Sequence, residues 1–173
     1  PALIAIKRRY GCFLMVDEAH SLGVLGAKGK GSHEHFNVAG KDVDIWMGTL
    51  SKTLASCGGY IAGERALIEH LKYAAPGFVY SVGIAPTLAA ASLAALKIML
   101  KEPDRVTNLQ ENGQMFLKLA KKNGIDVGTS QGFSVLPAIT GSSLKAVRLS
   151  NKLYDRSINV QPIVHPAVEE KAA

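Results

Sequence analysis

The five residues Cys12-Phe13-Leu14-Met15-Val16 are apolar without interruption and end on Asp17. A strand solvated on one face alternates apolar and polar side chains, whereas a continuous apolar run marks a strand covered on both faces, as in the parallel sheets of α/β proteins. The run follows a helix-patterned segment, residues 2–10, expected to stop at Gly11. A helix that feeds such a strand constrains the chain to an α/β fold. In open α/β sheets, ligands bind at the carboxyl ends of the strands, and Asp17 occupies such an end.

A second apolar strand is expected over 43–47, running into Gly48-Thr49-Leu50-Ser51-Lys52, and a third over 59–63. Between the first two, Gly23, Gly26, Gly29, Gly31 and Gly40 mark a loop with room for one short helical turn. Helical spacing of apolar residues predicts helices over 64–75, 86–101 and 104–122, the last with Asp104 as its N-cap. Pro76-Gly77 separates the first of these from a short strand expected at 78–80. After Gly124, expected strands at 134–139 and 159–164 flank a helix over 143–155. Residues 1–124 are therefore read as part of one large domain and 125–173 as the start of a second. A length of 173 residues with 47% hydrophobic side chains suits one core and part of another.

Several function classes are disfavoured by composition. The chain carries 20 Lys and Arg against 14 Asp and Glu, a net charge of +6, but the basic residues are scattered and form no long stripe for nucleic acid or a membrane surface. The most apolar stretch, Ile84 to Leu96, falls short of the roughly 20 residues of a membrane span. Cys12 and Cys57 have no CxxC partner, so neither a disulfide framework nor a zinc site is expected, and a reducing, cytoplasmic setting fits. The chain opens on Pro1 without the layout of a signal peptide and is expected to be an excerpt of a longer one.

Two segments carry chemistry. Val16-Asp17-Glu18-Ala19-His20 matches the acid box of DEAH-type ATPases, where a strand-end acid holds Mg²⁺, and equally a segment of enzymes that use pyridoxal phosphate, where the acid protonates the cofactor's ring nitrogen. Lys52 is the lone charge between Ile45 and Gly63 and is expected to be desolvated between two strands, which favours the neutral amine that condenses with an aldehyde. The ATPase reading lacks its phosphate loop, because GxxxxGK[ST] does not occur. On their own, His20 would read as a loop histidine and Ser81 as the end of a strand. His33 and His35 form only a weak metal pair, His70 and His165 have no ligand spacing, and Glu18 has no evident role. Cys12 reads as a strand residue and Cys57 as a small packing residue.

Asp17, His20, Thr49 and Lys52 stand within VDEAHSLGVLGAKGKGSHEHF and DIWMGTLSKTLASCGGYIAG; FVYSVGIAP and INVQPIVHPAVEEKAA follow in order. On these four stretches the chain resembles the α-oxoamine synthases, pyridoxal 5'-phosphate enzymes of the aspartate-aminotransferase fold (fold type I). The resemblance implies part of the large three-layer domain plus the start of the small α/β domain. It also implies roles: Lys52 holds the cofactor as a Schiff base and shuttles the substrate's α-proton, Asp17 pairs with the pyridinium nitrogen, His20 bonds the ring 3-oxygen, and Thr49 bonds the phosphate. Ser81 matches a hydroxyl that reaches the neighbouring subunit's phosphate in a homodimer. Val82-Gly83 departs from the family there, and His165 stands where relatives commonly carry Tyr.

The implied reaction condenses an amino acid (glycine, alanine or serine) with an acyl-CoA or acyl-carrier thioester to a 2-amino ketone, with loss of CO₂. No metal, nucleic acid or membrane span is implied. The family's phosphate-binding helix start, its ring-stacking residue and its carboxylate-binding arginine are not among these residues, so the segment alone is expected to be inactive. Three other readings are an aminotransferase or lyase of the same fold, a DEAH-type ATPase, and a catalytically dead interaction partner.

Overall fold

A computed structural model describes residues 1–173. The chain divides into two compact units, Pro1–Leu109 and Gln110–Ala173. In the first, helix α1 (Ala2–Tyr10) stops at Gly11, whose left-handed φ of 63° suits a glycine cap. A three-stranded sheet follows, with β1 (Met15–Asp17), β2 (Ile45–Thr49) and β3 (Gly59–Gly63) in spatial order β1-β2-β3. β1 and β2 run parallel, with Asp17 opposite Met47; β2 and β3 run antiparallel, with Thr49 opposite Gly59. The unit continues through α2 (Ser32–His35), α3 (Arg65–Ala74), α4 (Pro76–Val79), α5 (Pro86–Lys101) and the first turns of α6 (Asp104–Lys122). A one-turn 3₁₀ helix, Gly40–Asp42, leads into β2.

The expected helices and the first three strands form, with β1 starting only at Met15 and β2 running two residues later than expected, over Ile45–Thr49. Burial does not follow the expectation. Phe13, just before β1, and Met15 within it are 84% and 54% exposed, so the apolar run is not covered on both faces in this chain. Cys12 lies outside β1, and it and Cys57 are exposed instead of packed. The segment expected as a strand at 78–80 enters the helical turn α4, since Pro76 at the first helical position fixes φ for a helix start. Asp104 stands inside the first turn of α6.

In the second unit, α6 buries Leu117 and Ala120 with Val127, and Leu136 packs on that cluster. Helix α7 (Ser143–Tyr154) forms as expected, its first turn held by Glu170, which accepts Ser143 N–H (2.8 Å) and Ser143 Oγ–H (2.5 Å). Neither strand expected in this region forms. The backbone just before 134–139 is drawn to α6, where Gln114 Nε2 donates to Gln131 O (2.6 Å) and Gly113 leaves room for the carbonyls of Gly132 and Phe133. In 159–164, Ser150 Oγ donates to Val160 O (2.6 Å). Each segment also contains a proline, Pro137 or Pro162, which has no N–H to give a sheet.

One ion pair fixes how the sheet begins. Lys7 Nζ on α1 meets Asp44 Oδ1 at 2.8 Å and donates to Asp42 O (3.2 Å), while Asp44 Oδ2 accepts Leu14 N–H (2.8 Å). Asp44 thereby joins α1 and the start of β1 to the start of β2. The Lys7 hydrogen bond, then that of Leu14, holds the Asp44 carboxyl below its ordinary 3.8. A folded value below the unfolded one stabilises fully above the unfolded value and is lost as pH falls through the folded one. In the full-length protein, Asp44→Asn is expected to lower the melting temperature at pH 7 and to flatten its decline between about pH 5 and pH 3. At Gly63, a Cβ would lie 2.5 Å from the Asp44 carbonyl oxygen, a backbone atom that cannot swing away. Gly63→Ala is expected to cost about 1–3 kcal/mol in chemical denaturation.

Candidate functional site

The carboxyl ends of β1 and β2 carry two of the candidate residues, Asp17 and Thr49, and the loops that leave them carry His20 and Lys52. Asp17 closes β1, and the parallel pairing sets it beside Met47, two residues before Thr49 at the end of β2. The next link is backbone: Glu18 N–H donates to Met47 O at 2.7 Å. Asp17 is exposed, and its Oδ1 accepts Ala19 N–H at 2.7 Å in a tight local turn. His20 follows, also exposed.

Beyond Thr49 the chain turns through Lys52 and back to Gly58. Thr49 Oγ1 lies 2.7 Å from Ser51 Oγ and accepts Ser51 N–H (3.2 Å), and it donates to Gly58 O (3.2 Å). Leu50 N–H reaches Gly58 O (2.9 Å), and Ser56 N–H reaches Leu50 O (2.8 Å). The lysine thus stands on a turn pinned at both ends. Lys52 itself is exposed, which corrects the expected desolvation: the charge-free stretch around it does not fold over its side chain.

Thr53 joins this turn to the segment after His20, because its Oγ1 donates to Leu22 O at 2.8 Å. The sequence reading missed both this contact and the role of Glu18. Glu18 is the buried acid of its motif, 6% exposed, and both its carboxylate oxygens take Ser32 N–H (3.1 and 3.0 Å). Gly31 has a φ of 95°, and a Cβ there would run into the Glu18 carboxylate. The glycine at that point was the readable signal, but its partner lies 13 residues upstream. His33 stacks edge-on against Trp46 with ring centres 6.1 Å apart, a packing contact.

Ser81 is exposed just after α4, and its Oγ lies 3.4 Å from Val82 O. No group of three or more His, Cys, Asp or Glu side chains gathers where a metal could bind, and no helix is long and apolar enough to cross a membrane. A cavity of about 260 Å³ is lined by Glu18, Leu22, Lys30, His33, Trp46 and Tyr60 among others.

Asp17 ends β1 and Lys52 stands on the turn after its parallel neighbour β2, and comparison with known proteins gives the family. Residues 2–172 match the family described as aminotransferase class I and II, and the chain belongs to it. It is 40% identical over 168 residues to an 8-amino-7-oxononanoate synthase of Symbiobacterium thermophilum, covering 97% of this chain and 42% of that protein. To a serine palmitoyltransferase of Sphingobacterium spiritivorum it is 38% identical over 168 residues, again 97% of this chain and 42% of the relative. Both relatives are α-oxoamine synthases, the group the motifs resemble. Among solved structures, the 8-amino-7-oxononanoate synthase of Francisella tularensis superposes with a TM-score of 0.79 at 28% identity over 88% of this chain and 46% of that one. A serine palmitoyltransferase with its pyridoxal phosphate internal aldimine reaches 0.88 at 22% identity, over 98% of this chain and 42% of that one, which shows the shared fold. The chain spans less than half the length of these relatives. The family assignment sets aside the ATPase reading of the acid box.

Tyr60 reports on the buried acid. Burial, then the nearby charge of Glu18, pushes its phenol above the ordinary 10.0. In the full-length protein, Tyr60 is expected to ionise above pH 10 in an NMR titration, and Glu18→Gln is expected to move its midpoint down.

Proposed function

We propose that the chain is the lysine-bearing part of a pyridoxal-phosphate-dependent acyltransferase of the α-oxoamine synthase type. The full-length enzyme condenses glycine, alanine or serine with an acyl-CoA or acyl-carrier thioester and releases CO₂ and a 2-amino ketone. The observation that carries this reading is the placement of Asp17 and Lys52 at the carboxyl ends of adjoining parallel strands. The donor set fits the cofactor: an exposed carboxylate with one oxygen engaged by Ala19, an exposed primary amine, a hydroxyl and an imidazole, all at or just after the carboxyl ends of β1 and β2. The relatives at 38–40% identity support the same reading.

When bound, pyridoxal phosphate supplies an electron sink for negative charge at the amino acid's α-carbon. Asp17 would hold a proton at the ring nitrogen, where a carboxylate stabilises the positive charge. Lys52 would hold the cofactor through its exposed amine and serve as the base that moves the α-proton. His20 would hydrogen-bond the ring 3-oxygen. Thr49 would turn to the phosphate the hydroxyl hydrogen that it shares with Gly58 O in this structure. Ser81 would give its hydroxyl to the phosphate held by the partner subunit of a homodimer. We place the division between the large and small domains at Gly124, and the enzyme in the cytoplasm.

The test uses the full-length protein with added pyridoxal phosphate. A visible absorption band is expected, along with thioester-dependent CO₂ release from an amino acid. Lys52→Ala is expected to abolish the band and to lower turnover by at least ~10²-fold. A band that survives Lys52→Ala, or conversion of the amino acid to a keto acid without use of the thioester, would contradict the reading. The isolated 173 residues are expected to bind the cofactor weakly and turn nothing over.

A further inference from the structure

Glu18 is a buried carboxylate to which the proposed chemistry gives no task, and its contacts lie at the two ends of one loop. Its N–H is held by Met47 O on β2, its carbonyl accepts Ser21 N–H (2.9 Å) and Leu22 N–H (3.1 Å), and its carboxylate takes Ser32 N–H. One residue thus closes residues 18–32 into a compact loop. Inside it, Gly23 N–H donates to Gly29 O (2.7 Å), and Gly31 N–H to Leu25 O (3.0 Å). The glycine-rich segment is therefore a hydrogen-bonded platform. His20 projects from its first turn.

Thr53 fastens that platform to the lysine. Its hydroxyl donates to Leu22 O, and its side chain fills the space over Gly23, where a Cβ would collide with the threonine. Gly23 has a φ of 79°, so the backbone there also requires glycine. Thr53 follows Lys52 directly, and Leu22 is two residues after His20. The hydrogen bond between them links His20 to Lys52 in fewer chain steps than the route through Glu18 N–H and Met47 O.

We propose that Glu18 and Thr53 are positioning residues: Glu18 closes the 18–32 loop and Thr53 locks it to the lysine turn, so that His20 and Lys52 are held in register for one cofactor. This rests on the cofactor site proposed above. Neither residue touches the reacting atoms. Their effect is to fix where the imidazole and the amine stand, which alters how tightly the cofactor is held and the surroundings in which its lysine-bound form titrates.

The experiment compares wild type, Thr53→Val, Thr53→Ser and Glu18→Gln in the full-length protein, measuring pyridoxal phosphate affinity, the pH midpoint of the visible band and the melting temperature. Valine keeps the volume over Gly23 and removes the donor; serine keeps the donor. Thr53→Val is expected to weaken cofactor binding roughly 3- to 10-fold, the worth of one hydrogen bond, and to move the pH midpoint by about half a unit or more. Thr53→Ser is expected to stay within about twofold of wild type. Glu18→Gln is expected to act in the same direction as Thr53→Val, and it carries the test if the valine variant does not fold. Variants that lower the melting temperature but leave affinity and midpoint at wild-type values overturn the proposal, as does a serine variant that behaves like valine. A wild type with no Lys52-dependent band overturns the cofactor site itself and the proposal with it, an outcome distinct from the first.

Discussion

The parallel pairing of β1 with β2 is the interaction on which the rest of the first unit depends. It sets Asp17 beside Met47, and the Glu18 N–H continues the ladder one step past the acid, to Met47 O. A shift of one residue would carry Asp17 to the opposite face of the sheet. The register is held at the other end by Asp44, whose carboxylate takes Leu14 N–H and the Lys7 ammonium before either strand has begun. Structural charge sits at the amino ends of the strands and the proposed chemistry at their carboxyl ends. That is the division of labour expected of an open α/β sheet.

The second constraint is how a long glycine-rich loop is kept from wandering. Closing such a loop costs entropy that grows only slowly with length, so a few well-made contacts at its ends suffice to hold it. Glu18 provides them at a buried position, where both carboxylate oxygens accept the Ser32 N–H, and the glycines let the chain pass close to that carboxylate and to Thr53. His20 and Lys52 are both exposed. Their mutual placement comes from residues beside them, since neither is wedged into a core.

Much of this was legible in the sequence. Strands and helices whose hydrogen bonds are local, or whose partners follow soon in the chain, matched their apolar patterns: α1 with Gly11 behind it, β2 and β3 across the lysine turn, and α5 and α6 on either side of Pro103. The stretches 134–139 and 159–164 have strand-like composition, but a strand exists only by pairing. Here α6 and Ser150 engage backbone groups at or beside these stretches, while Pro137 and Pro162 withhold a donor. Burial was the least legible property. The uncharged window around Lys52 suggested a desolvated amine, yet absence of charge in sequence says nothing about which atoms fold over a side chain. Glu18 escaped notice because its meaning lies in a backbone N–H 14 residues away, and Thr53 because its partner is 31 residues upstream. The identities of Asp17, His20, Thr49 and Lys52 as candidates came from motif order; Asp17 and Thr49 end the paired strands β1 and β2, and His20 and Lys52 stand on the loops that follow them.

The central claim is that the amine of Lys52, on the turn after β2, carries pyridoxal phosphate within reach of Asp17. Borohydride reduction of the cofactor-loaded full-length protein, followed by proteolysis and mass spectrometry, tests it directly, because reduction makes the lysine linkage permanent. The account predicts a single phosphopyridoxyl group on the peptide that contains Lys52. Modification of a different lysine, or a Lys52 peptide that stays unmodified while the visible band disappears, would contradict it.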